Sequence, residues 1–462
     1  MTLEVIVLAA GKGTRMHSAL PKVLHQIAGR PMLAHVLEAA QHLSPSRIHV
    51  VCGFGAKDVR EAIAESPQLH WVDQSEQLGT AHAVMQAMPH VAKDAHVLVL
   101  YGDVPLIQPA TLQRLVEQSR AGHLGLLTAH VDNPTGYGRI IRADDGAVLS
   151  IIEEADANEE QRAVREINTG FMAASSPQLA RWLDAVDNQN AQAEYYLTDV
   201  VARAVSDDTH VATVSCADLS EIIGVNSRSE LAKAERIFQR SQAENLMDAG
   251  VTLQDPSRFD LRGRLTCGQD CRIDINVVIS GEVSLGDNVV IGPNCQIIDS
   301  AIGNHVEIRA NSVVEGARIA NHATVGPFAR LRPGTDLAEH ARIGNFVETK
   351  NAVIGADSKA NHLAYVGDAN VGERVNIGAG VITCNYDGAN KHQTTIEDDA
   401  FIGSNSALVA PVTVGKGATV GAGSAINRDV APGQLVVTRA DQTVRDEWQR
   451  PAKNAPKKSQ DA

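Results

Sequence analysis

Hydrophobic positions in the carboxyl-terminal half of the chain recur every six residues. From Ile319 an aliphatic side chain returns at Val325, Leu331, Leu337 and Ile343, and four places after each stands Ala323, Ala329, Thr335, Ala341 or Val347. Helices repeat at about 3.6 residues and strands at about 2.0, so a period of six predicts short flat faces of a coil, each sending a residue inward. The register already runs at Leu285, Ile291, Ile302 and Ile308. It resumes at Ile354, Val371 and Ile377 and again at Ile396, Ile402, Val414, Val420 and Ile426. Such a repeat predicts a solenoid.

The slot after each aliphatic is small, as in Ala320, Gly326, Ala338 and Gly344, which places a backbone corner there. Leu331 is followed by Arg332 instead. An arginine in that slot either points outward without consequence or marks a functional departure from the repeat. The polar run from Thr383 to His392 interrupts the register between Ile377 and Ile396, and in a solenoid an insertion becomes a loop on one face.

The amino-terminal half follows another rhythm. Buried-strand runs at 4–10 (EVIVLAA), 47–52 (RIHVVC), 69–72 and 96–100 (HVLVL) alternate with helical stretches, which predicts a mostly parallel sheet covered by helices on both faces. Ligands of such sheets gather at the carboxyl ends of the strands. Gly11-Lys12-Gly13-Thr14-Arg15 follows the first strand and Tyr101-Gly102-Asp103 the fourth, so both lie on one rim. The glycine-rich turn suits a phosphate, although it is neither a Walker A loop nor a dinucleotide fingerprint. Asp103 either begins a turn before Pro105 or holds a magnesium ion together with substrate phosphates. Ser227 to Glu230 has the form of a capping box, and Leu231, Ala234, Ile237 and Phe238 follow at helical spacing up to Gly250. This helix is read as a strut between halves or as one packed flat on a single domain.

Composition narrows the classes. The 462 residues exceed one ordinary core, and the 3% aromatic content suits a solenoid of small and β-branched residues. A net charge of −14 argues against a nucleic-acid partner, so any phosphate site has to be built from individually placed cations. No apolar run is long enough for a membrane span and the start lacks a signal-peptide pattern, so a cytoplasmic location is expected. The scattered cysteines (52, 216, 267, 271, 295 and 384) read as reduced thiols.

LAAGKGTRM with Pro21-Lys22, QLGTAHAV, YGDVPL, Asn133 to Arg139, Glu153-Glu154, Ile167 to Gly170 and Gly224-Val225-Asn226 resemble the sugar-phosphate nucleotidyltransferases. The likeness is strongest to the uridyltransferase half of the bacterial bifunctional enzymes that make UDP-N-acetylglucosamine. The hexads resemble the left-handed parallel β-helix of trimeric acyltransferases. RLRPG, NFVETKN, NHLAYVGD and NIGAG match the acetyltransferase half of the same bifunctional family.

The resemblance implies a Rossmann-like α/β nucleotidyltransferase at 1–228 and a left-handed β-helix at 250–450, with the capped helix as a linker at 229–249; the tail at 451–462, polar, lysine-bearing and without hexads, reads as disordered. It implies that Leu8, Ala9, Ala10 and Gly11 meet the nucleotide, that Arg15 and Lys22 face phosphates, and that Gln74, Gly79 and Thr80 read uracil. Tyr101 and Gly102 join that site, Gly138, Glu153, Asn168 and Asn226 line the sugar, and Asp103 and Asn226 share magnesium. In the β-helix it implies Arg332 and Lys350 on the phosphate of glucosamine-1-phosphate, Tyr365 and Asn376 on its sugar, and His362 as general base. Ala379, Asn385, Tyr386, Lys391, Ser404, Ala422 and Arg439 would meet acetyl-CoA or neighbouring substrate groups. The implied reactions are acetyl transfer to glucosamine-1-phosphate, then uridylyl transfer from UTP to N-acetylglucosamine-1-phosphate, in a homotrimer. The alternatives are a single-activity nucleotidyltransferase with a structural or regulatory β-helix, and a non-catalytic scaffold.

Overall fold

The computed structural model describes residues 2–450; the tail expected to be disordered lies outside them. The chain forms two compact units, one of residues 1–265 with 275–282 and one of 266–274 with 283–462.

In the first unit, β1 (Leu3–Ala9), β2 (Arg47–Cys52), β3 (Leu69–Asp73) and β4 (His96–Tyr101) pair in parallel, with β1 between β2 and β4. Past β4 the sheet continues through β5 (Leu124–His130), β6 (Glu166–Ser175) and β7 (Val211–Ser215) in the spatial order β7-β5-β6-β4-β1-β2-β3. Only β6 on this path runs antiparallel to its neighbours. The strands alternate their burial between two layers. Val5, Val7 and Ala9 of β1 join Leu33 and Val36 in one core, and Ile6 and Leu8 join Val84 and Trp182 in the other. Chain order reverses on either side of β1, so the crevice at its carboxyl end, between β1 and β4, is the switch point where ligands bind in such sheets.

A helix, α1 (Arg228–Asp248), closes this unit. Ser227 is its N-cap, accepting the Glu230 N–H, and Glu230 reaches back to the backbone N–H of Asn226 at 2.8 Å. Its Ala234, with Leu231, Ile237 and Phe238, packs on Ile27, Met32, Leu106 and Val225, so its apolar stripe lies flat on the first unit. Gly250 follows with φ +96°, a left-handed stop.

The second unit is a parallel β-helix. On its first face Ile291, Ile308, Val325, Ile343, Ala360, Ile377, Ile402 and Val420 stack in register. Val325 pairs with Ile343 eighteen residues on, which is three hexads per coil. Ile377 pairs with Ile402 twenty-five residues on, because the insertion loops out between them. The second face carries Val314, Leu331, Thr349 and Val366, and the third Ile302, Ile319, Leu337, Ile354 and Val371. All of these side chains are buried.

The expectation that the small slot is itself the corner is corrected. A Cβ on Gly344 would lie 2.0 Å from the Asn361 carbonyl oxygen of the next coil, and one on Gly355 2.2 Å from that of Gly372. The slot is small because the next coil's backbone passes against it. The chain turns two residues further on, where His322, Phe328, His340, Phe346 and Leu363 take left-handed φ of 46° to 62°.

Candidate active sites

The carboxyl ends of β1 and β4 open into a cleft of about 300 Å³. Leu8, Ala9, Ala10, Gly11, Lys22, Gln74, Gly79, Thr80, Tyr101 and Asp103 line it, together with Val23, Gln77, Ala83 and Glu194. Those last four were missed by sequence reasoning. Gln77 is the first residue of the QLGTAHAV motif, whereas Glu194 comes from a segment with no readable signal. Lys22 donates from Nζ to the carboxylate of Asp103 and, at 2.9 Å, to Oδ1 of Asn226. Gly13 makes room for this lysine. At φ +61° its Cβ would lie 2.6 Å from that of Lys22.

Gln74 is buried and donates its amide hydrogens to the Gly79 carbonyl at 3.2 Å and to Nδ1 of His82 at 3.0 Å, leaving its carbonyl oxygen as the acceptor. Gly79 has φ +119°, and a Cβ there would sit 2.5 Å from the Tyr195 carbonyl oxygen. Burial, then the Glu153 and Asp103 carboxylates, push the Tyr101 phenol up, so it stays a neutral hydroxyl. Burial also raises the Glu153 carboxyl, whose Oε1 accepts from Thr198 at 3.0 Å. Asn168 is buried and bonds the Gly138 carbonyl through its backbone N–H at 2.8 Å, and Gly138 leaves space beside Glu153. Gly102 lies under the rim, its N–H on the Leu8 carbonyl at 2.9 Å. Arg15 stands exposed on the turn Thr14–Met16, outside the cleft lining. Among the described residues no group of three or more His, Cys, Asp or Glu side chains is arranged to hold a metal. An ion here would rest on Asp103 and Asn226 with oxygens of a bound phosphate.

In the second unit, Arg332 and Lys350 occupy the same outward column of the second face on adjacent coils, tied by the Arg332 N–H to the Thr349 carbonyl at 2.9 Å. Arg332 Nη1 donates to Glu348 at 2.9 Å. The ammonium of Lys391, reaching over from the loop, holds Lys350 below the usual lysine range, with Arg332 adding to it. Three cations thus crowd one patch, an arrangement suited to a phosphate dianion. Lys350 is in register with Gly367, and a Cβ on Gly367 would lie 2.3 Å from the Tyr365 hydroxyl, so the tyrosine lies across this column. Asn385 and, at 2.8 Å, Asn351 donate to Asp368 beside it. Beneath the patch the inward residues turn polar. Thr335 and Thr349 hydroxyls meet at 3.0 Å, and Thr383 accepts the Gly367 N–H at 2.8 Å.

His362 stands elsewhere, at the edge of the first face and one residue before the left-handed corner at Leu363. Its Nδ1 meets the Asn345 Oδ1 at 2.7 Å. With a carbonyl accepting, Nδ1 carries the hydrogen and Nε2 is left bare, the form a base requires. Ala379, Ser404 and Ala422 take the same place before the corners at Gly380, Asn405 and Gly423 on the coils that follow, and Arg439 packs against Gly423. Asn376 faces outward from the first face, in register with Lys359 and Phe401. Tyr386 is exposed on the loop, its hydroxyl on the Gly388 carbonyl at 2.7 Å. The structure thus gathers Arg332, Lys350, Lys391 and Tyr365 on one face and sets His362, Ala379, Ser404, Ala422 and Asn376 on the adjoining one.

Residues 5–182 match the MobA-like NTP transferase domain, 261–347 the GMPPB C-terminal domain and 393–428 the hexapeptide repeat of succinyl-transferase. The chain is 54% identical over 451 residues to the Bifunctional protein GlmU of Marinobacter nauticus, spanning 98% of this chain and 99% of that protein. It is 56% identical over 449 residues to the Bifunctional protein GlmU of Alkalilimnicola ehrlichii, spanning 97% and 96%. Both matches span the parallel sheet and the hexad coil together, and the chain belongs to the family of bifunctional GlmU proteins.

Proposed function

We propose that the protein makes UDP-N-acetylglucosamine in two steps, acetylating glucosamine-1-phosphate in its β-helix and transferring a uridylyl group in its α/β unit. The match of both halves, in one order, to proteins named as bifunctional carries this reading.

In the first step the sugar amine attacks the thioester carbonyl of acetyl-CoA. The bare Nε2 of His362 takes the amine proton, and coenzyme A leaves as its thiol; base catalysis of this kind contributes about 10²- to 10⁴-fold. Arg332, Lys350 and Lys391 hold the phosphate, Tyr365 and Asn376 the sugar, and the column of Ala379, Ser404 and Ala422 with Arg439 takes the coenzyme. Asn376 and the cations project from different faces of a convex prism and so diverge within one chain. A homotrimer, in which a neighbouring coil and the loop around Tyr386 close the site, resolves this. Phe328, Phe346 and Leu363 support it, since they leave an apolar corner 48%, 55% and 61% exposed at backbone angles that favour glycine or asparagine.

In the second step a phosphate oxygen of N-acetylglucosamine-1-phosphate attacks the α-phosphorus of UTP, and pyrophosphate leaves. No protein nucleophile is required. Lys22 and Arg15 neutralise the two anions and hold them in line. The buried Gln74 carbonyl offers an acceptor for the uracil N3–H, with Gly79 and Thr80 flanking the base and Gly138, Glu153 and Asn168 the sugar. Asp103 and Asn226 fit magnesium, since two hard oxygens already converge on one cationic point, and they would hold it. Bound there, magnesium would screen the phosphate charge. The free cysteines fit a reducing cytoplasm. Among the described residues no helix is long and apolar enough to cross a membrane.

One assay with acetyl-CoA, UTP and glucosamine-1-phosphate tests the proposal. Thiol release and pyrophosphate release are both expected, the second depending on the first. Pyrophosphate release without any thiol release would leave a single-activity nucleotidyltransferase with a structural β-helix.

A further inference from the structure

Resting on the reading of Asp103 and Asn226 as metal ligands, we propose that Lys22 is a built-in stand-in for the metal. Its ammonium fills the position between them until a nucleotide draws it away, so that metal binding waits for nucleotide.

Three observations carry this. First, the two oxygens are placed by the backbone rather than by the lysine. The Val225 N–H donates to the Asp103 carbonyl at 2.9 Å, and Glu230 fixes the Asn226 N–H at 2.8 Å. The acceptor pair therefore persists when the lysine departs. Second, the lysine is seated by close packing around its stem. Gly13 is left-handed to admit its stem, and a Cβ on Gly55, also left-handed, would lie 2.4 Å from Cγ of Pro21 beside it. The Lys22 side chain is 13% exposed and that of Asp103 15%, so neither is simply hydrated. Third, the same lysine lines the nucleotide cleft beside Gly11, and β- and γ-phosphates entering there compete for its ammonium with more charge than one carboxylate supplies.

A cation already held between two partly buried oxygens opposes a second one twice over. It occupies the place, and it repels a divalent ion across a few ångströms of low-dielectric cleft. Binding of metal alone is reduced by the fraction of molecules in which the lysine has moved aside. A phosphate that captures the ammonium frees both oxygens for the metal in the same motion. Lys22 thereby acts as a positioning residue for the ion as well as a contact of the substrate.

The test is Mn²⁺ binding to the full chain, followed by electron paramagnetic resonance, with and without UTP. Wild-type protein should bind Mn²⁺ weakly alone and at least about tenfold more tightly with UTP present. Lys22→Met should bind it about tenfold more tightly than wild type without nucleotide, and Lys22→Met with Asp103→Asn should lose that gain. Circular dichroism establishes that each variant is folded, and Lys22→Gln serves as a second neutral replacement should the methionine variant not be. Equal nucleotide-free affinity in wild type and a folded neutral variant, abolished in both by Asp103→Asn, overturns the stand-in role and leaves the metal site standing. Mn²⁺ binding indifferent to Asp103 in every form, including the UTP complex, overturns both.

Discussion

Glu230 accepts the backbone N–H of Asn226 at 2.8 Å, so the first turn of the helix that begins at Arg228 is bonded to the residue that faces Lys22 across the nucleotide cleft. The same carboxylate accepts the Ser227 hydroxyl at 3.0 Å. A helix cap and a metal-ligand candidate are therefore one structure.

Replacing Glu230 by Ala removes that brace. Loss of a capping interaction costs about 1 kcal/mol, so the unfolding midpoint should drop modestly. The more informative change is local. Asn226 loses its fixed backbone position, and the magnesium concentration giving half-maximal uridylylation should rise several-fold, with acetylation at the wild-type rate. An unchanged magnesium requirement would refute the coupling of cap and site.

A second prediction concerns Gly344. Its Cβ position lies 2.0 Å from the Asn361 carbonyl oxygen and 2.6 Å from its carbon, so Gly344→Ala forces two coils apart next to His362. Overpacking of this kind costs about 1–3 kcal/mol, and here backbone rather than a flexible side chain has to move. Acetylation should fall together with the melting temperature while uridylylation stays intact. An alanine variant with wild-type melting and wild-type acetylation would contradict the close approach.

How much was legible beforehand follows from which interactions have a period. Every hexad aliphatic from Leu285 to Ile426 is buried, since each coil repeats the same inward demand. Strands β1 to β4 were readable as short apolar runs alternating with helical stretches. The length of the slips was not. Thr349 and Ile354, inward on successive faces, are five apart, whereas Leu331 and Leu337 are six, although each corner carries one left-handed residue, Asn351 and Gly334. Corner residues escaped too, since His322 and Phe346 do not advertise a positive φ as glycine does. At the sites, GKGTR and YGD were visible because both follow buried strands directly. Glu194 was not, since it reaches the cleft through the irregular stretch between 185 and 198. Lys22 and the Asn226 it bonds lie 204 residues apart in sequence, and no local pattern encodes such a meeting.

Separation of the two chemistries gives a third prediction. Among the described residues His362 bonds through Nδ1 to Asn345, and that bond selects the tautomer. His362→Ala should lower acetylation by about 10²- to 10⁴-fold with uridylylation unchanged. Asn345→Ala should give a smaller loss, because the imidazole remains but its tautomer is no longer held. Asn345→Asp, which still accepts from Nδ1, should retain more of the acetylation rate than Asn345→Ala. Equal losses in all three variants would point to a structural role instead.

Acid should weaken the first unit before it touches the carboxylates. Burial, the leading cause in each case, lowers the imidazoles of His25, His35, His49, His70 and His96 below their ordinary range. His49 shows why the neutral form is built in. It donates from Nε2 to Glu4 at 2.7 Å, and its Nδ1 then accepts from Nδ1 of His70 at 3.2 Å, so a further proton has no acceptor to meet. A base with a lowered folded pKa binds its proton later in the folded than in the unfolded chain. Stability is therefore fully present above the ordinary histidine value of about 6.5 and is lost as pH falls below it, down to the folded values. Glu153 and Asp199, both raised by burial, work in the opposite direction, but they are two carboxyls against five imidazoles. The urea midpoint of the full chain, followed by a first-unit signal such as Trp182 fluorescence, should be lower at about pH 5.5 than at about pH 7.5. Replacing His49 by Gln, which keeps a donor for Glu4, should flatten that difference. A midpoint that holds or rises on acidification would mean that these imidazoles are protonated in the folded protein and that the Glu4, His49, His70 chain carries one hydrogen more than its geometry allows.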